Sequence, residues 1–142
     1  DTAASIDLTI ATPPRRREHA APCSGYVRAL LAWEAECERR SEPRTEDLAL
    51  LCCVQLFGRG FPEDSLRIWE AKMSGFDLGC YLEIELLCGA GLSATMAFLA
   101  DHPSPEAASA LAALQECQAR GDFDGFEPGN VLGHYRRHFR VK

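Results

Sequence analysis

Apolar and polar positions along this chain follow two different periods. In "SIDLTIAT", residues 5–12, Ile6, Leu8 and Ile10 alternate strictly with Ser5, Asp7 and Thr9. That is the period-two pattern of a half-buried strand. Pro13, Pro14 and a run of arginines then break it, and no later stretch offers a partner strand. Residues 1–22 are therefore expected to form an extended arm or a mobile tail, since termini are usually poorly tied down.

Beyond residue 22 the period becomes helical. The spacing predicts a first helix over 24–40, with Tyr26, Leu30, Trp33 and Cys37 on one face and Glu34, Glu36 and Glu38 on the other. A second is predicted over 46–57, capped by Ser41 or Thr45. Its "LALLCCVQLF" is apolar nearly all round, so this helix should be central. Gly58 and Gly60 should end it. The third starts near Pro62, with Glu63 and Asp64 suited to a helix N-terminus and Leu66, Trp69 and Met73 facing inward. Gly75 stops it. Asp77 should cap a fourth helix running to Cys88, ended by Gly89 and Gly91. A short fifth helix is capped by Ser93, with Met96 and Leu99 inward. Ser104-Pro105 opens a sixth, running to Arg120 with Leu111, Leu114 and Cys117 inward. A turn-rich loop, "DFDGFEPGN", leads to a last helix with Leu132, Tyr135 and Phe139 on one side.

The pattern predicts an all-α protein: an antiparallel multi-helix bundle, or a short α-solenoid-like stack, of six to seven helices. Residues 23–142 would form one helical domain behind the 1–22 arm. A length of 142 residues suits a single domain. No apolar run approaches the ~18 residues that span a bilayer. The first residue is not Met, which fits a processed product or part of a longer polypeptide.

Charge changes the picture more than composition does. The formal net charge is -6, which argues against a general nucleic-acid binder. Between Glu34 and Glu127 there are 18 acids against 7 bases, whereas Val131–Lys142 holds four bases and no acid. An acidic body of this kind suits a protein partner with a basic surface. The seven cysteines (Cys23, Cys37, Cys52, Cys53, Cys80, Cys88, Cys117) include no CxxC pair. Most sit among apolar residues, so they read as reduced core thiols of a cytosolic protein. Their spacing gives no zinc site.

Candidate chemistry is sparse. "CGAGLSAT" has the glycines of a phosphate loop but neither the preceding strand nor the lysine; it reads as a corner between helices. His134 and His138 could share a helical face, yet Arg136 and Arg137 between them would repel a cation, so no metal or cofactor is expected. No cysteine stands in a catalytic signature. The acids say more. Glu83 and Glu85, two apart on a helix, would point to different sides. Lys72, near Trp69, should meet a carboxylate, so an ion pair of Lys72 with Asp77, Glu83 or Glu85 is expected to join the third and fourth helices.

The block "LRIWEAKMSGFDLGCYLEIELLCGAGLSATMAFL", residues 66–99, carries Trp69, Ala71 and Lys72, then Phe76 and Asp77, then Glu83 or Glu85, then Gly89 to Gly91. It resembles a block of uncharacterised bacterial all-helical proteins similar to immunity-type proteins encoded near polymorphic toxins. That resemblance, over about residues 62–120, implies a non-enzymatic protein that occludes a cognate toxin. An acidic face would cover the toxin's basic substrate cleft. Exposed acids and nearby aromatics would bind the partner: Glu34, Glu38, Asp77, Glu83, Glu85, Asp122, Phe123, Asp124 and Phe126. The plainer role for Phe123 and Phe126 is to pin the last helix. Two other readings stand beside this one: a helical adaptor or regulatory domain of a larger protein, and a small thiol- or carboxylate-dependent hydrolase.

Overall fold

The computed structural model describes residues 17–43 and 46–139, with side chains from residue 24 onward. Among the described residues the fold is all-α, without strands. Helix α1 spans Arg17–Arg39, α2 Asp47–Arg59, α3 Asp64–Lys72 and α4 Phe76–Tyr81. A 3-10 segment, Ile84–Cys88, precedes α5 at Leu92–Asp101, α6 at Pro105–Ala119 and α7 at Pro128–His138. Residues 17–22, expected in the arm, are helical. The strand-like stretch and Thr45 lie outside the described residues.

The helix ends follow local chemistry. Gly60 adopts φ 76° and its N–H donates to the carbonyls of Leu56 and Phe57 at 3.3 and 3.1 Å, which closes α2 as a left-handed C-terminal glycine should. Gly58 stays inside the helix. Ser104 caps α6 as expected: its Oγ accepts from the Ala107 N–H at 3.1 Å, with proline following. Helix α5 opens at Gly91, φ 95°, rather than at Ser93.

The expected helix over 77–88 is divided. Leu82 and Glu83 are extended (ψ 114° and 143°) between α4 and the 3-10 segment. The cause is Lys72. Its Nζ donates to the carbonyls of Gly79 and Leu82 at 2.7 and 2.6 Å. Those acceptors would otherwise serve the next helical turn. The ammonium therefore ends α4 instead of pairing with Asp77, Glu83 or Glu85, and the expected ion pair is absent. A carboxylate partner was the natural expectation for a half-buried lysine, but helix-end carbonyls satisfy the same donor.

Helix α2 is central, as its composition requires: Ala49, Leu50, Cys52, Cys53, Val54, Leu56 and Phe57 are all buried. Helix α3 is equally central, contacting α1, α2, α4, α6 and the 3-10 segment. It buries Ile68, Trp69 and Ala71, while Met73, past its last turn, is 62% exposed. On α1 the inward face is Val27, Leu30, Leu31, Glu34 and Ala35, rotated from the predicted one. Tyr26 and Trp33 point outward, and Arg40 lies over the Trp33 ring at 5.8 Å. Leu30 and Cys37 of the predicted stripe are buried as expected, and only its aromatics, Tyr26 and Trp33, are not; helical spacing alone does not choose between the two stripes. Helix α6 turns Ala107, Ala110, Leu114 and Cys117 inward.

A part-buried ion pair lies in this packing. Arg28 of α1 donates from Nε and Nη2 to both oxygens of Asp64 at 2.7 and 3.0 Å, and Arg67 adds a contact at 3.3 Å. Asp64 is 2% exposed. A two-pronged contact of this kind sets the register of α1 against α3. Five thiols (Cys37, Cys52, Cys53, Cys88, Cys117) are buried, as read from the sequence, but Cys80 is exposed; Cys23 lies outside the described side chains.

Gly89 marks the closest backbone approach. A Cβ there would lie 2.8 Å from Phe57 Cα. Gly89→Ala should therefore lower stability by about 2 kcal/mol or more in urea unfolding. Gly129→Ala, in α7 with open space around it, should be neutral or stabilise by up to about 1 kcal/mol. Equal effects at the two sites would contradict the packing described.

Candidate binding cleft

Helix α4 has six residues and buries only Leu78. A helix this short does not persist alone, so its position depends on neighbours. Three polar side chains from three helices hold it. Lys72 of α3 takes its C-terminal carbonyls. Glu38 of α1 accepts the Leu78 N–H through Oε2 at 3.1 Å, serving a free N–H of the first turn. The Tyr81 hydroxyl donates to Asp47 Oδ1 of α2 at 2.5 Å. That hydrogen bond, more than burial, pushes the Tyr81 phenol up to about 12. Gly75 lets Glu38 approach, because a Cβ there would sit 2.5 Å from the Glu38 Cγ.

Held this way, the start of α4 forms one wall of an open cleft of about 470 Å³. The other walls are the end of α1, residues 41–43 and Glu46 at the start of α2. Among the described residues, Glu38, Glu42, Glu46 and Asp77 face it, with Arg39 as the base. Glu42 pairs with Arg40 at 3.4 Å. Glu46 and Asp77 pair with no described residue. Phe76 stands at the wall, 82% exposed. An exposed phenylalanine ringed by carboxylates is an anchor of the kind that interfaces use.

Of the predicted binding residues, Glu38 and Asp77 meet here and the rest do not. Glu34 is buried at 6% exposure on the inner face of α1, not on an outer acidic side. Glu83 is exposed and Glu85 half-buried on the divided segment. The break brings the two acids close enough to interact, where a continuous helix would have separated them. Burial raises the Glu85 carboxyl above its usual range, the Glu83 charge adds to this, and His134 opposes it. Asp122 is held by Arg120 at 2.9 Å. Phe123 is buried and stacks edge-on against half-buried Phe126 at 5.2 Å, so this pair pins the loop to the core. Asp124 is exposed beside it.

Glu42 and Glu46 were not singled out from sequence, and Phe76 was named only as part of the resembling block, without a binding role. For Phe76 a signal existed. Its helical neighbours at three and four residues on are Gly79 and Cys80, so it belongs to no apolar stripe.

Chemically, the cleft presents negative charge and one aromatic face. Burial pushes the Cys53 thiol well up and the Cys88 thiol up to about 12, which suppresses the thiolate. No group of three or more metal-ligating side chains occurs among the described residues, and no described helix is long and apolar enough to cross a membrane. Comparison with protein-family models, curated proteins and solved structures gives no match for this chain.

Two tethers give separate tests. Lys72→Met should cost about 2–3 kcal/mol in chemical unfolding, because two carbonyls lose a charged donor. Glu83→Gln and Glu85→Gln should each change stability far less, since neither pairs with Lys72. Tyr81→Phe should cost about 1 kcal/mol at neutral pH. The phenol titrates near 10 when unfolded and about 12 when folded. Its contribution is therefore complete below pH 10 and lost as pH rises toward 12. The stability gap between wild type and Tyr81→Phe should close over that range, and a constant gap would exclude the bond to Asp47.

Proposed function

We propose that this is a protein-binding protein whose acidic cleft, anchored by Phe76, holds a basic segment of a partner protein. The observation that carries the reading is the 82% exposed Phe76 at a cleft lined by four carboxylates. An unpaired apolar ring in water is unfavourable, and acids around it select a cationic partner while speeding association. The more specific form follows the sequence resemblance: an immunity protein that covers the basic substrate groove of a bacterial toxin in the cytoplasm. Occlusion alone would inhibit, so this form needs no catalytic group.

The test is titration of the protein with an arginine-rich peptide containing one aromatic residue, by calorimetry at low and high salt. Binding should weaken steeply with salt, and Phe76→Ala should reduce affinity roughly tenfold or more. Asp77→Asn combined with Glu46→Gln should flatten the salt dependence. Equal affinity for an acidic peptide, or binding indifferent to salt, would sink the proposal. For the immunity form, co-expression with the toxin encoded beside it should rescue growth in wild type and fail in Phe76→Ala.

A further inference from the structure

The charge pairing of this molecule is uneven in an informative way. Arg28, Arg39, Arg40, Arg67 and Arg120 each pair with a carboxylate. Arg136 and Arg137, adjacent and exposed on α7, pair with no described residue, although the protein carries 21 acids. The reason lies in how α7 sits. Tyr135 is buried, and Val131, Leu132 and Phe139 are packed against the core. The intervening positions must then face outward. His134 and His138 are exposed with the arginines, and the helix bears no acid. The result is a face of α7 without acids on an acidic protein, with Glu85 of the 3-10 segment near His134 alone among these four.

The same chain carries the complementary surface. Glu46 and Asp77 at the cleft are exposed or half-buried acids unpaired with any described residue, the arginines of α7 included. We infer that the basic face of α7 docks into the acidic cleft of a second copy of this chain. The net charge of -6 disfavours the other anionic surfaces, nucleic acid and acidic membrane, through repulsion by the body. Between two copies, that long-range repulsion is screened at moderate salt while a direct contact persists. If each copy both gives α7 and receives it, the contact closes with two-fold symmetry. This inference rests on the reading of the cleft as a binding site for basic segments. It adds that the chain is its own competitor for that site.

Sedimentation velocity over a concentration series tests it by charge swap. Wild type should self-associate at low salt and dissociate at high salt. Arg136→Glu with Arg137→Glu should weaken association roughly tenfold or more, and so should Glu46→Lys with Asp77→Lys. An equimolar mixture of the two variants should recover association, because one supplies an intact α7 and the other an intact cleft. Recovery also shows that both variants are folded. Wild type that stays monomeric throughout, association that survives either variant, or a mixture that fails to associate would each overturn the inference. Anionic vesicles that capture wild type through Arg136 and Arg137 without self-association would overturn it too. The Arg136→Glu/Arg137→Glu variant keeps its cleft. Peptide binding to it, without self-association of wild type, would refute this inference alone, whereas loss of peptide binding would refute the cleft reading itself.

Discussion

Helix α3 has nine residues and must be buried among five neighbouring elements with a carboxylate at its first position and an ammonium at its last. Desolvating either charge without a partner is costly. Each end is solved differently. Asp64 receives the two-pronged guanidinium of Arg28 from α1, and Lys72 reaches the terminal carbonyls of α4. These contacts fix what lies on each side. The first sets how α1 crosses α3; the second decides where α4 ends and the 3-10 segment begins. The cleft exists because both are satisfied at once, since its walls are α1 and α4.

The cleft is thus a product of polar tethering. Apolar burial positions α2, α3 and α6, where the core residues are large and enclosed. Helix α4 contributes little apolar area, so hydrogen bonds from Glu38, Lys72 and Tyr81 carry its placement. Such a helix can present a bare phenylalanine to solvent without exposing the core behind it. Glu46 and Asp77 on one surface, and Arg136 and Arg137 on another, take no part in this tethering.

Much of the fold was legible in the sequence because it depends on local rules. The all-helical class, the centrality of α2, the serine cap of α6 and the burial of most thiols follow from periodicity, composition and capping. The loop at Phe123 and Phe126 also behaves as its simpler reading required. The misreadings share a cause. Tyr26 and Trp33 were assigned inward because aromatics usually bury area, yet two stripes on α1 had equally good spacing. The period cannot choose between them; only the neighbours can. Glu34 was misplaced with them.

What the sequence alone determined was which segments are helical, where most of them stop, and that negative charge dominates the body. Those properties arise from contacts within a few residues, which the order of side chains specifies directly. Only the tertiary structure decided which face of each helix turns inward, that Lys72 ends α4 rather than pairing with an acid, and that Glu38, Glu46 and Asp77 gather beside an exposed Phe76. These depend on pairings 10 to 40 residues apart in the chain, such as Lys72 with Leu82 and Glu38 with Leu78. A donor in sequence can be satisfied by any of many acceptors, and packing selects the one within reach.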